Sequence, residues 1–198
     1  EVIAAVTPWL LAARERGVRT VVECTPNYLG RDVRLLIALS EGTGMHLLTN
    51  TGLYKEPHLP PGLLALAPEA LAARWIAEWE DGIDGTSVRP GFIKIAVNTG
   101  PLVPVQRLIV RAAALTQEAT GLTVACHTSD AVSAHEALDI VESARMDPGR
   151  FIVVHAQNMP SEAEQDALAA RGGWLSYDNI GGAPGLDAYA RLILYALD

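Results

Sequence analysis

The sequence predicts an α/β fold, a partial (β/α)8 TIM barrel of about six parallel strands with covering helices. Three observations carry this. Short β-branched runs alternate with amphipathic helical stretches along the chain, the pattern of a parallel sheet covered by helices. The runs are apolar throughout rather than alternating, as in strands buried on both faces. Chemically capable side chains, namely Glu23, Asn50, Lys94, His127, His155 and Asp178, stand at or near the carboxyl ends of those runs, where a barrel builds its site. An open doubly wound sheet would instead show a glycine-rich phosphate turn after an early strand, and "ECTPNYLGRD" is not one.

The opening "EVIAAVTPWLLAARERG" has helical apolar spacing and ends at a glycine, a helix with a glycine stop. It lacks the basic start of a signal peptide. The strand candidates follow as "TVVECT" (20–25), "HLLTNT" (46–51), "FIKIAV" (92–97), "TVACHT" (123–128), "FIVVHA" (151–156) and "WLSYDNI" (174–180). Between them lie the helical stretches "RDVRLLIALSEGTG", "ALAARWIAEWEDGI", "VQRLIVRAAALTQEATG", "SAHEALDIVESARM" and "SEAEQDALAARGG". Several end in glycine just before the next strand, as helix-to-strand connections do. The one long irregular insertion is the proline-rich "YKEPHLPPG", and "LDAYARLILYALD" closes the chain as a helix.

The 198 residues, 49% hydrophobic and 19% charged, suffice for one sizeable core with no break suggesting a second domain. A complete barrel needs eight strands and about 250 residues. Residues 1–198 are therefore expected to be a single domain that is a fragment of a longer barrel, since six strands would leave two unpaired edges. The net charge of −8, without a lysine or arginine cluster, argues against nucleic acid or an anionic membrane as partner. No apolar run is long enough for a bilayer. Cys24 and Cys126 form no disulfide framework or CxxC pattern, which fits a reducing, cytoplasmic setting.

Lys94 is the oddity of the sequence, a lysine in the middle of "GFIKIAV". Lysine is rarely fully buried unless paired, and desolvation drives it towards neutrality. By alternation Lys94 faces inward with Phe92 and Ala96, while Ile93, Ile95 and Val97 face the helices. Lys94, His127 and His155 end three consecutive strand candidates, so a barrel brings them to one mouth. Two imidazoles suit zinc and similar divalent ions, and a neutral lysine amine can take up carbon dioxide as a carbamate, an anionic two-oxygen ligand. Taken singly, each of the three reads first as a hydrogen-bonded core histidine or a lysine reaching the rim, and it is their coincidence at matching strand ends that reverses the preference. Two further readings fit the same residues: a barrel lyase with a Schiff base on Lys94, and a non-catalytic barrel homologue.

The blocks "TPNYLGRDVRLLIALSEGTGMHLLTNTGLY", "GFIKIAVNTG", "RAAALTQEATGLTVACHTS" and "DPGRFIVVHA", in this order and spacing, resemble the phosphotriesterase-like family of the amidohydrolase superfamily. The resemblance runs from about Val21 to Gly181. It implies a (β/α)8 barrel in which the six runs are strands two to seven. It further implies a hydrolase of ester, lactone or phosphoester bonds, with hydroxide activated by two divalent ions, zinc by expectation, bridged by carboxylated Lys94. His127 and His155 match the histidines of strands five and six that bind the second ion. The family's His-x-His pair of strand one and aspartate of strand eight have no counterpart here, so the isolated fragment is expected to be inactive.

Tyr54 in "TNTGLY" matches a tyrosine at the pocket mouth of the family's lactonases, suited to bind substrate, and it reads equally as packing for the insertion. Asn179 stands where those members place an arginine, and "AQNMPSE" departs from their acidic pattern after the strand-six histidine. Asp178, at the end of strand seven, is a candidate for substrate contact or for capping the following turn. Glu23 is expected behind a metal-bound histidine, or else paired with an arginine. Arg31 and Asp32 are expected to begin a helix and anchor a loop by salt bridges. His46, His58 and His135 read as surface or packing residues. The expected partners are a small ester, lactone or phosphoester and a second copy of the chain as a homodimer, without nucleic acid or membrane.

Overall fold

The computed structural model describes residues 1–182 and 185–197. Helix α1 (Val2–Glu15) leads into β1 (Thr20–Val22), α2 (Val33–Thr43), β2 (His46–Leu48) and β3 (Asn50–Thr51). Then come α3 (Pro68–Asp81), β4 (Phe92–Ala96), α4 (Pro104–Thr120), β5 (Val124–His127), α5 (Ala131–Ser143) and β6 (Phe151–Val154). Finally α6 (Glu162–Ala170), β7 (Trp174–Ser176) and α7 (Leu186–Leu197) complete the order. Every strand pairing is parallel and follows chain order, β1 with β2 and then β3 through β7. This is the order that alternation of strand and helix predicts for a barrel wall.

The run 46–51 is two strands rather than one. It pairs with β1 up to Leu48, whose carbonyl accepts Glu23 N–H at 2.8 Å. At Thr49 it passes to β4: the Thr49 carbonyl accepts Gly91 N–H at 2.9 Å, and Asn50 then pairs with Phe92. The strands are also shorter than the apolar runs. β7 stops at Ser176 because the backbone leaves the sheet and reaches a left-handed turn at Asn179 (φ 59°).

Helix ends follow local chemistry. Asp32 caps α2, its carboxylate accepting Leu35 N–H at 3.0 Å, and Gly44 stops the same helix in the left-handed region at φ 66°. Asp130 and Ser133 form a reciprocal capping box on α5. Proline opens both α3 and α4, where its missing N–H costs nothing.

The core lies between the sheet and its helices. Ile93, Ile95 and Val97 pack outward against Ile109, Val110 and Ala113 of α4, and Val124, Cys126, Phe151 and Val153 extend the layer. The inward face of the same strands is different: Phe92 and Lys94 of β4 and Ala125 and His127 of β5 line a cavity. The alternation read from "FIKIAV" is therefore realised, with Lys94 5% exposed. Among the described residues, β1 and β7 each have a strand on one side only, and Val22 and Trp174 there are 53% and 65% exposed.

A buried ion pair anchors the wall to its helices. Arg31 donates to both oxygens of Glu78 on α3, at 2.9 and 2.5 Å, and to the Asn50 carbonyl at 2.9 Å. Thr51 Oγ1 donates to the same carboxylate at 2.6 Å. The Arg31 side chain is 1% exposed, so the salt bridge expected of "GRDV" is an internal tie between loop, strand and helix.

Candidate metal centre

A cavity of about 620 Å³ opens inside the sheet, of the size that holds a small ligand. Tyr54, Phe92, Lys94, His127, His155 and Asp178 are on its wall. The first shaping element is Gly52, at φ 122°. A Cβ on Gly52 would stand 2.0 Å from the Lys94 carbonyl oxygen, so only glycine lets the chain pass against β4. That turn brings Tyr54 back over the strand ends, which is the physical content of "TNTGLY".

Register then sets heights on the wall. Lys94 pairs with Ala125 and Ala96 with His127, so His127 sits two residues nearer the mouth than Lys94. His155 directly follows β6, whose Val154 pairs with His127. The two imidazoles meet edge to face with ring centres 4.5 Å apart. Tyr54 Oη lies 3.2 Å from His127 Nδ1, and Lys94 Nζ stands 5.6 Å from the centre of the Tyr54 ring.

His155 adopts φ 68°, a left-handed conformation that a non-glycine residue holds only when its surroundings impose it. Its Nδ1 lies 2.6 Å from Asp178 Oδ2. An ionised carboxylate only accepts, so Nδ1 carries the proton and Nε2 keeps its lone pair for a ligand. Gln157 Nε2 donates to the other Asp178 oxygen, Oδ1, and Asp178 N–H donates to Gln157 Oε1 at 3.3 Å. Burial alone would raise the Asp178 pKa, but the hydrogen bonds from His155 and Gln157 outweigh it and lower it.

The two histidines have different surroundings. Burial first, then the positive charge of Lys55, pushes the His127 pKa down to about 3. Lys55 Nζ is 2.9 Å from His127 Nε2 and 3.4 Å from the Val97 carbonyl. His127 is thus a neutral imidazole across the ordinary pH range. Burial likewise lowers the Lys94 pKa, against weaker upward pulls from Cys126 and Cys24, while its Nζ donates to the Ile95 carbonyl at 3.1 Å. The Tyr54 pKa is raised by burial, so its phenol stays a donor.

The donor set suits a divalent cation in part. Two imidazoles converge on one cavity, and a desolvated lysine sits on the same wall. Among the described residues, no three His, Cys, Asp or Glu side chains form a ligand cluster.

Asn179 is exposed in its left-handed turn and is not part of the cavity wall. Glu23 lines the cavity, and its Oε1 accepts from Thr25 N–H at 2.8 Å and from Thr25 Oγ1. His46 and His58 are exposed, and His135 lies 3.4 Å from Glu164 on the outer helical layer. Lys55 and Gln157 are site residues that strand periodicity does not reach, because both lie in irregular turns. A cation immediately after "TGLY", and an amide two residues after a strand-end histidine, are the only signals they leave.

Three known proteins resemble the chain closely. The phosphotriesterase homology protein of Escherichia coli is 29% identical over 167 residues, covering 84% of this chain and 57% of that protein. Its crystal structure, with phosphate in the active site, superposes with a TM-score of 0.88 at 27% identity, covering 98% of this chain and 68% of that one. The aryldialkylphosphatase of Saccharolobus solfataricus is 28% identical over 174 residues, covering 85% of this chain and 54% of the relative. The N-acetyltaurine hydrolase of Rattus norvegicus is 30% identical over 181 residues, covering 90% and 52%. The chain spans little more than half the length of these curated relatives. The sequence profile of the phosphotriesterase family matches residues 1–189, and with this barrel wall and its inward histidine pair the chain belongs to the phosphotriesterase family.

Proposed function

We propose that the protein carrying this chain is a metal-dependent hydrolase acting on a small ester, lactone or phosphoester. The observation that carries the reading is the pair His127 and His155, edge to face at 4.5 Å on the wall that also holds Lys94. The relatives' names support hydrolysis at a phosphoryl or acyl centre: one is an aryldialkylphosphatase and one hydrolyses N-acetyltaurine, an amide.

His127 and His155 would hold one divalent ion, and Lys94, as a carbamate, would bridge it to a second; zinc suits imidazole donors. Bound there, such ions polarise a phosphoryl or carbonyl oxygen and lower the pKa of water. The carbamate forms when the neutral Lys94 amine attacks carbon dioxide: an N–C bond forms, one C=O π pair moves to oxygen, and Nζ releases a proton. Lowering the Lys94 pKa by burial is what makes that amine available.

The other residues bind and orient. Asp178 holds the His155 ring with Nε2 free. Tyr54, kept protonated, has its Oη 3.2 Å from His127 Nδ1 in this structure and would donate to a substrate oxygen. The apolar part of the cavity, with Phe92 and Ile152, excludes water around the substrate body. The remaining ligands and the homodimer belong to the same reading of the complete barrel, as does a cytoplasmic location.

The test is metal analysis of the full-length protein together with assays on aryl esters, lactones and phosphotriesters. The reading expects about two divalent ions per chain and activity abolished by a chelator. Activity that survives chelation, with borohydride trapping a carbonyl substrate on Lys94, would overturn it in favour of the Schiff-base lyase.

A further inference from the structure

His155 starts a short 3-10 turn, Ala156–Asn158, closed by Asn158 N–H donating to the His155 carbonyl at 2.9 Å. The turn carries Gln157 back over the end of β7. There one amide grips Asp178 at two points: Nε2 donates to Oδ1, and Oε1 accepts from the Asp178 N–H. The second carboxylate oxygen, Oδ2, accepts the hydrogen bond from His155 Nδ1–H. Both oxygens of Asp178 are then assigned, and its carboxylate is no longer free to rotate.

The chemistry fixes which way the amide points. Oδ1 only accepts and a backbone N–H only donates, so a residue that meets both needs one donor and one acceptor. Glutamine meets that requirement, and a carboxylate of the same size does not. A carboxylate at this place would keep the contact to the Asp178 N–H, lose the one to Oδ1, and set two negative charges side by side.

We propose that Gln157 is the positioning residue of the site: it locks Asp178 so that the His155 ring presents Nε2 to the cavity in a single tautomer. The inference rests on the metal-hydrolase reading above and extends it to the group behind the ligand. Partners behind metal-binding histidines typically change metal affinity by about 10–100-fold. One bond further out, the lower end of that range applies.

The experiment compares Gln157→Glu and Gln157→Ala with the unaltered full-length protein at pH 8. Zinc affinity is measured by competition with a chelating dye. The His155 tautomer is read from nitrogen-15 histidine spectra of the metal-free protein. The lock predicts that Gln157→Glu, which conserves volume, loses about tenfold in zinc affinity and mixes the two tautomers. It also predicts that Gln157→Ala mixes them without the added charge repulsion.

A residue that only fills space would give the opposite order, Gln157→Glu unchanged and Gln157→Ala worse, and that result overturns the proposal. Should Gln157→Glu not fold, a single Nδ1–H tautomer in Gln157→Ala overturns it as well. If the unaltered protein binds neither zinc nor another divalent ion, the metal reading fails by itself, and the tautomer spectra still decide the role of Gln157.

Discussion

Lys55 Nζ lies 2.9 Å from Nε2 of His127, while Tyr54 Oη meets Nδ1 of the same ring. A cation at that distance opposes a second positive charge on the imidazole, and it is the next cause after burial of the His127 pKa near 3. Lys55→Met removes the charge and leaves the burial. The His127 pKa then rises from about 3 but stays below the ordinary 6.5. An NMR titration of the metal-free protein reads this directly, and an unchanged value would remove Lys55 from the causes of the shift.

The same depressed pKa makes stability fall on the acid side. Unfolded, His127 takes up a proton near pH 6.5; folded, it does so only near pH 3. Between those values the unfolded chain binds more protons, so stability decreases as pH falls through that window. Denaturant unfolding of the metal-free protein at pH 7, 5.5 and 4.5 should show this loss, and His127→Asn should flatten it. A variant with the same slope would place the acid sensitivity elsewhere.

Lys94 gives a second contrast between stability and function. It is 5% exposed, with a carbonyl as its hydrogen-bond acceptor, and burial lowers its pKa. Lys94→Met keeps the length of the side chain and removes the group that is costly to bury. The expected outcome is a metal-free protein at least as stable as the unaltered one, with a thermal midpoint raised by about 2–4 °C per kcal/mol gained. Metal content and hydrolase activity should fall together. A lower midpoint with full metal content would remove Lys94 from the ligand set.

How much of this was legible before the structure depends on periodicity. The inward direction of Lys94 and the outward packing of Ile93 and Ile95 follow from period-two alternation in one strand. The meeting of His127 and His155 follows from neighbouring parallel strands ending at one level. Asp178 was placed at the cavity by its position after β7, but its bond to His155 was not legible. That bond depends on the backbone leaving the sheet at Ser176 and on His155 taking a left-handed φ. Lys55 and Gln157 depend on irregular turns, where no period says which way a side chain points. The strand break at Thr49 was hidden for another reason: an apolar run shows burial on both faces but not which neighbour it bonds at each residue.

The Arg31–Glu78 pair shows the cost of separating buried charges. Arg31 is 1% exposed at the side chain and bonds two elements besides its own. Arg31→Ala leaves the Glu78 carboxylate with Thr51 as a partner but without a counter-charge. Breaking a buried pair from one side costs about 3–5 kcal/mol. Urea unfolding should register a loss of that order. A loss below about 1 kcal/mol would mean that the pair behaves as an exposed one.

Gly52 and Gly62 separate conformational strain from close approach, since both have positive φ, 122° and 75°. A Cβ at Gly62 meets nothing within 4 Å, whereas at Gly52 it meets the Lys94 carbonyl oxygen at 2.0 Å. Gly62→Ala therefore costs only the left-handed backbone, about 1–2 kcal/mol. Gly52→Ala adds overpacking against a strand that cannot move independently, about 1–3 kcal/mol more. Because the displaced atom belongs to Lys94 and the turn that follows carries Tyr54, the loss at Gly52 should reach the site as well. The expected result is a larger drop in denaturation midpoint for Gly52→Ala, with reduced zinc affinity, and a smaller drop with unchanged affinity for Gly62→Ala. Equal effects on metal binding would show that the turn does not set the position of the lysine.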